Sequence, residues 1–385
     1  MIKPSTLIDE FILHFEHPAE TAFFSPGRVN LIGEHIDYNG GLVLPCAISL
    51  GITALVRKNN TNTCRIFSVD FNEMIVVDIS EQLTINQQKK MHWSDYVTAT
   101  LRVLQDKNST LLGADILLAS DLPVGSGLSS SAALSCLIAF IFNQKYYEEN
   151  KVELALDAQT AERNYVGVNC GIMDQFAVSN GKKNTAILLD CATLEAGYIP
   201  ADFEDYQLVI INSNKSRLLA ESKYNERRSE CDQALAAIRQ YYPATDLCHA
   251  PEIALSYIEQ DTLYARAKHC LLENQRVIFA AQFLKDKNIE AFGRLLVESH
   301  ISLEEDYEVS CTELDTIVHL ATHFDDCAGA RMTGAGFGGC CIALVKKDKI
   351  QRFISYVGIN YEHKTRLEAD FYICAIADGV TETEL

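Results

Sequence analysis

The chain has 385 residues, too many for one average domain, and its 48% apolar content is the ordinary share for a protein with a sizeable core. Its formal net charge of −19 argues against nucleic acid or an anionic membrane surface as a partner. That charge also means that a bound polyphosphate has to be held by local dipoles, a cation and a few basic side chains.

Residues 1–11, MIKPSTLIDEF, lack the apolar run of a signal peptide, and 5–15 show the spacing of an amphipathic helix. Residues 22–30 read as a short strand entering a loop at 33–45 rich in Gly, Asn, Asp and His, and 42–56 read as a second strand. Residues 65–79 alternate like two strands with a turn near 70–73. Residues 94–104 read as a helix capped by Ser94, with Val97, Leu101 and Leu104 on one face. A buried strand at 113–120 leads into DLPVGSGLSSSAAL at 121–134, and the apolar run 132–142 is long enough for a buried helix. Residues 151–166 read as a further helix, 170–178 as a compact turn or short helix around Asp174, and 185–190 and 207–212 as strands. A charged helix over 216–240 buries Cys231, Leu235 and Ile238 and stops before Pro243. Helices at 263–283, 289–304 and 309–323 precede a glycine loop and a closing strand at 340–345. The change of texture near 195–205 predicts two domains, 1–200 and 201–385. No apolar run reaches the 18 residues of a membrane span. The 13 cysteines include no C-x-x-C pair, so they read as reduced thiols of a cytoplasmic protein and predict a purified protein prone to oxidation.

Four stretches carry chemistry. In 121–134, Gly125 and Gly127 precede Ser129, Ser130 and Ser131 and a helix start. Glycines allow close backbone approach, and a helix N-terminus offers free N–H groups and a positive dipole end, which together make a phosphate cradle. A flexible turn with an ordinary N-cap is the alternative. The stretch SPGRVNLIGEHIDYNGG at 25–41 packs Arg28, Glu34, His35 and Asp37 near a strand end. So many donors and acceptors suit a polyhydroxylated ligand; a solvated loop and a metal site remain open. In GIMDQ at 171–175, Asp174 stands among apolar residues as either a helix N-cap or a catalytic base. Finally, Gly334, Gly336 and Gly339 match G-x-G-x-x-G, but the strand CCIALV follows instead of a helix. That favours a tight turn over a dinucleotide site.

Taken together, SPGRVNLIGEHIDYNGG, LPVGSGLSSSAA, NCGIMDQF and TGAGFGGC resemble, in the same order, the motifs of the GHMP small-molecule kinase family, and within it the branch that acts on galactose. The motifs span residues 25–340. One departure is Ile36, where that branch usually carries Thr. The resemblance implies a two-domain α+β fold: an N-terminal ribosomal-S5-domain-2-like α/β domain with a left-handed crossover, a C-terminal ferredoxin-like α+β domain, and the active site between them. It implies transfer of the ATP γ-phosphoryl group to the C1 hydroxyl of galactose, the entry step of galactose catabolism, with Mg²⁺ as cofactor and no obligate protein partner. The nearest alternatives are a kinase of N-acetylgalactosamine and a catalytically silent sensor of galactose and ATP.

The same resemblance assigns roles by position. Asp174 matches the catalytic aspartate and Arg28 the arginine beside it. Glu34, His35, Asp37, Gly171 and Tyr224 match the sugar pocket. Val124, Gly125, Ser126, Gly127, Leu128, Ser129 and Ser130 match the ATP loop, with Ser68 on the nucleotide side. Ser130 and Glu162 match the Mg²⁺ ligands.

Overall fold

The computed structural model describes residues 2–85, 91–123, 125–216 and 220–385. A 3-10 turn precedes α1 (Ile8–Phe15), which buries Phe11 and Phe15. Strands β1 (Thr21–Asn30), β2 (Leu42–Val43), β3 (Pro45–Lys58), β4 (Thr63–Ser68) and β5 (Glu73–Asp78) come next. Then follow α2 (Trp93–Asp106), β6 (Ala114–Ser120), α3 (Ser130–Glu149), α4 (Lys151–Thr160), α5 (Met173–Asn180), β7 (Thr185–Asp190) and β8 (Ala196–Pro200). The rest of the chain forms β9 (Tyr206–Asn212), α6 (Ala220–Arg239), α7 (Asp261–Lys285), α8 (Ile289–Glu305), α9 (Thr312–Thr322), β10 (Cys327–Thr333), β11 (Cys340–Lys346), α10 (Ile350–Thr365), β12 (Asp370–Ile373) and β13 (Thr381–Thr383).

Among the described residues the strands form three sheets. The first has the order β13-β1-β3-β6-β4-β5, with β4 and β6 parallel because the chain crosses through β5 and α2 between them. Its last member returns from the far end of the chain, pairing Thr381 with Phe24 and Thr383 with Ala22. The second sheet is antiparallel in the order β10-β11-β9-β12. With α6 to α9 between β9 and β10, and α10 between β11 and β12, it is a ferredoxin-like split β-α-β arrangement. A small third sheet joins β2, β7 and β8. One continuous apolar core runs from Val29 and Ile116 in the first sheet to Ile210 and Ile342 in the second. The cluster around Phe11, Phe15, Leu55 and Leu117 packs separately under α1.

Several local features differ from the sequence pattern. The cap of α2 is His92, not Ser94: its ring accepts from the Ser94 N–H, and the Asp95 carboxylate takes the His92 N–H in return. The helix expected over 151–166 leaves α-geometry after Thr160 and continues as a π-helical turn, Ala161–Val166. Strand β10 has the small-residue sequence CAGARMT, which alone gives no strand signal. Its small residues are explained by α8, because a Cβ at Gly293 or Gly329 would overlap the backbone of the other element. The expectation of ready oxidation is also revised. None of the 13 cysteines is in a disulfide, and nine are buried and four half-buried. Burial pushes the Cys64 thiol up to about 11 and Cys374 to about 12, and others such as Cys136 and Cys270 also upward. Thiolate, the reactive form, is therefore scarce. No described helix is long and apolar enough to cross a membrane.

Candidate active site

The register of β1 against β3 shifts between Pro26 and Arg28, so Gly27 is a bulge residue. A Cβ on Gly27 would come within 2.6 Å of the Leu122 side chain and 2.7 Å of the Leu128 carbonyl, so no larger residue fits. The bulge aims Arg28, only 3% exposed, across the ends of two other segments. Its Nε donates to Asp174 Oδ1 at 2.7 Å, its Nη1 to the Gly127 carbonyl at 2.7 Å, and its backbone N–H to the Leu128 carbonyl at 3.2 Å. Burial disfavours the guanidinium charge, but Asp174 and Glu34 outweigh it and raise the arginine above its ordinary value. Asp174 sits in the first turn of α5, and Ile172, not Asp174, occupies the N-cap position. Its second oxygen, Oδ2, accepts from Ser129 Oγ at 2.7 Å. Asp174 keeps about a third of its side chain exposed, toward a cavity of about 610 Å³.

The residues of the glycine–serine loop divide into those that face that cavity and those that build it. Gly125, at φ 70°, has open space around its Cα, and Ser130 is exposed at the start of α3. Both line the cavity with Gly127, Ser129 and Ser131. Ser126 turns its hydroxyl back to the Pro123 carbonyl at 2.7 Å. Leu128 is buried in the core. Ser129 is at the N-cap position with φ 63° but makes no cap bond, since its hydroxyl serves Asp174. Val124 lies outside the described residues. Ser68, at the end of β4, is buried, accepts from the Phe71 N–H at 3.4 Å, and lines the cavity.

The loop between β1 and β2 supplies the opposite wall. Glu34 is buried; Oε1 accepts from the Gly334 N–H at 2.7 Å and Thr333 Oγ1 at 3.1 Å, and Oε2 from Asn30 Nδ2 at 3.0 Å. His35 has φ 63°, and both of its ring nitrogens are engaged. Nε2 faces the Ala335 carbonyl at 3.1 Å and therefore carries the proton, so Nδ1 accepts from the Tyr38 hydroxyl at 2.8 Å. Burial, with His269 nearby, lowers His35 to about 3, so the ring is neutral. The Asp37 carboxylate packs directly on Gly171, where any Cβ would overlap it. Burial, reinforced by the charge of Asp174, raises Asp37 to about 7. Tyr224, on α6, places its ring 5.3 Å from Tyr38 and 5.6 Å from His35 and lines the same cavity. The 334–339 loop joins β10 to β11, with no helix after it, and Gly334 lies against the Gly127 carbonyl. The dinucleotide reading therefore falls away.

Glu162 is held in the π-helical turn and is buried, accepting from Gln175 Nε2 at 2.7 Å. Burial raises its carboxyl to about 7, and the charge of Asp174 adds to that. Glu162 and Ser130 both line the cavity, so a carboxylate with no counter-charge among the described residues and a hydroxyl face the same space. A small hard cation fits that donor set. The reading of Glu34, His35 and Asp37 as a metal site does not fit, because the first two spend their ligand atoms on protein partners. Among the described residues, one other group of ligand atoms lies close together, His300, Glu304 and Asp315. There His300 Nδ1 accepts the Met332 N–H at 3.3 Å, which leaves the proton on Nε2 and no lone pair for a metal.

The far end of the cavity is apolar and was not foreseen from the sequence. Phe71 and Trp93 lie parallel within 2° with ring centres 6.0 Å apart, and Met91, Tyr96, Leu118, Leu122 and Leu134 complete the walls. The residues come from three elements, α2, β6 and α3, and from three connecting segments, so no local pattern announces them.

Comparison with known proteins agrees with this arrangement. Family models for the GHMP kinase N-terminal domain match residues 95–182 and for the GHMP kinase C-terminal domain residues 280–363. The crystal structure of a mevalonate kinase covers 93% of this chain and 100% of its own at TM-score 0.69 and 21% identity, a likeness of fold. Fold and domain matches define a GHMP kinase. A galactokinase galactose-binding signature matches residues 9–58. The galactokinase of Clostridium perfringens is 43% identical over 384 residues, 98% of this chain and 99% of the relative. The crystal structure of Lactococcus lactis galactokinase complexed with galactose superimposes at TM-score 0.92 with 39% identity, covering 98% of this chain and 99% of that one. The chain belongs to the galactokinase family, and is thus an ATP-dependent sugar kinase.

Proposed function

We propose that the protein transfers the γ-phosphoryl group of ATP to the C1 hydroxyl of α-D-galactose, giving galactose 1-phosphate and ADP. The observation that carries this reading is the position of Asp174: one oxygen on Arg28, the other on Ser129, its exposed part toward the cavity between the glycine–serine loop and the β1–β2 loop. Phosphoryl transfer is mostly positioning and charge stabilisation. Asp174 orients the sugar hydroxyl and receives its proton; Arg28 keeps the carboxylate in place and opposes charge on the transferring group. Asp37 and Tyr224 face the sugar, while Glu34, its oxygens held by Gly334, Thr333 and Asn30, and His35, its ring nitrogens committed, shape the pocket wall. The N-terminus of α3 with Gly125 and Gly127 receives the phosphates. Ser130 and Glu162 would hold Mg²⁺, which supplies positive charge against the phosphate oxygens. Phe71 and Trp93 offer flat apolar faces to the nucleotide base.

We place the division between the two domains near residue 200, with the end of the chain crossing back: Ala377 bonds the Ala47 carbonyl and β13 joins the first sheet. We also propose a cytoplasmic location, consistent with 13 cysteines outside any disulfide. The test is ADP release with Mg·ATP and galactose, beside N-acetylgalactosamine, glucose and mevalonate, for the wild type and Asp174→Asn. Galactose-dependent turnover that collapses in the variant supports the proposal. Binding of galactose and ATP without turnover in the wild type would make the protein a sensor.

A further inference from the structure

The β1–β2 loop is held from behind by the C-terminal half of the chain. Gly33 donates its N–H to Glu273 Oε1 at 2.9 Å, and the Glu34 carbonyl faces His269 Nε2 at 3.1 Å. His269 and Glu273 lie one turn apart on α7 and so share a face. A turn further on, Val277 closes against Gly33, whose φ of 101° and crowded surroundings admit no side chain. Asn274 Oδ1 accepts the Leu42 N–H at 2.8 Å, where the loop re-enters β2. Arg331 Nη1 reaches the Asn30 and Leu31 carbonyls at 3.0 and 3.2 Å.

Glu273 and His269 are themselves fixed. Glu273 is fully buried; its Oε1 also accepts from Ser299 Oγ at 2.6 Å and its Oε2 from Arg276 Nε at 2.7 Å. Burial pushes this carboxyl up, but the Arg276 guanidinium and its neighbours more than reverse that and leave it at about 2, so it stays ionised. His269 Nδ1 is tied to Ser302 Oγ at 2.9 Å. With an acceptor carbonyl at Nε2, the ring carries its proton there and accepts from the serine. Neither residue lines the cavity. Between them they fix the Ile32–Gly33 and Glu34–His35 peptide groups, on the approach to His35, a residue in the left-handed region.

We propose that His269 and Glu273 are positioning residues for sugar affinity: α7 sets the backbone of Gly33 and Glu34 and thereby the placement of the Glu34, His35 and Asp37 side chains. This rests on the galactokinase reading above. The nucleotide end of the cavity is built from other segments, so the effect falls on one substrate only.

The test is steady-state kinetics and thermal melting of Glu273→Gln, His269→Leu and His269→Gln beside wild type. In Glu273→Gln an amide N–H meets another donor, Gly33, Ser299 or Arg276. Loss of one hydrogen bond to a charged group corresponds to roughly a tenfold rise in the galactose KM. His269→Leu is expected to raise the galactose KM by about fivefold, and His269→Gln, whose amide nitrogen can stand where Nε2 stood, to restore most of it. The ATP KM is expected to stay within about twofold in all three, on the same reckoning. A galactose KM unchanged beside a lowered melting temperature, or a parallel rise of both KM values, would overturn the proposal. If Glu273→Gln does not fold, Ser299→Ala, which removes one donor from the same carboxylate, replaces it and is expected to shift the galactose KM in the same direction. A wild type inert toward galactose sinks the function proposed above instead, and is seen before any variant is made.

Discussion

Arg28 and Asp174 are 146 residues apart in sequence and 2.7 Å apart in space, and the guanidinium that binds the carboxylate also holds the carbonyl of Gly127. One buried side chain thus sets the distance between the glycine–serine loop and α5. Removing the charge from Asp174 leaves Arg28 facing an amide. Asp174→Asn is expected to lower kcat by roughly 10² to 10⁴-fold, the range for loss of a general base. It is also expected to lower the melting temperature, since a buried cation loses its partner. Coupled ADP release and a thermal melt measure both; a variant with near-normal kcat would remove Asp174 from the chemistry.

Ser129 separates two uses of a hydroxyl. Its place in the ATP loop offers the hydroxyl to the phosphates, whereas its bond to Asp174 Oδ2 makes it a support of the carboxylate. Ser129→Ala is therefore expected to lower kcat about tenfold, as for one hydrogen bond to a charged group, with little change in the ATP KM. A selective rise in the ATP KM would mean that the hydroxyl turns to the nucleotide.

Gly171 has no left-handed backbone to explain it; the constraint is the Asp37 carboxylate lying against its Cα. Gly171→Ala is expected to displace Asp37 and raise the galactose KM at least about tenfold, a loss of one charged contact. Isothermal titration with galactose would detect the same loss without turnover. Unchanged affinity in this variant would show that Asp37 does not contact the sugar.

Asp37 also predicts a pH effect. Burial and the charge of Asp174 raise it to about 7, well above the roughly 3.9 of a free aspartate. Between those values the folded protein holds a proton that the unfolded chain has released, so this group's contribution to stability falls as pH rises through that window. Sugar affinity moves the other way, because the ionised carboxylate is the better acceptor of a sugar hydroxyl. Galactose affinity is expected to rise between pH 6 and 8 and to flatten in Asp37→Asn, as read by titration calorimetry; a slope that survives in Asp37→Asn belongs to another group.

The thiols give a prediction opposite to the one composition suggests. Reaction of the native protein with an aromatic disulfide reagent is expected to be slow and confined to the half-buried Cys170, Cys191, Cys311 and Cys327, with all 13 reacting after denaturation. Activity is expected to be indifferent to reductant over days of storage. Fast reaction of more than four thiols in the native state would contradict the burial described.

Much of the site was legible in the sequence because its motifs are local. The order strand, glycine turn, serines, apolar helix at 113–142 needs only backbone rules, and β6 and α3 follow it. What was not legible depends on partners far along the chain. Nothing near Ser129 says that its hydroxyl is spent on a residue 45 positions away. Nothing near His35 reveals the Ala335 carbonyl, 300 positions away, at its Nε2. Strand β10, with Ala and Gly at its start, reads as a turn until α8 is seen lying close against it. His92 displaced Ser94 as the cap of α2 because a histidine nitrogen can accept an N–H as a serine oxygen does.

The π-helical turn at Ala161–Val166 has a bearing on descent. Such a turn carries one residue more than a regular helix, and each residue advances an α-helix by about 100°. Loss of the single codon for Ala161 would let α4 run on without interruption and carry Glu162 into the space that Ala161 now shares with Ala99 and Val103. A lineage could thus move the carboxylate proposed to hold the cation by changing the phase of a helix, with every motif letter intact, and an alignment of motifs alone would still read it as a kinase.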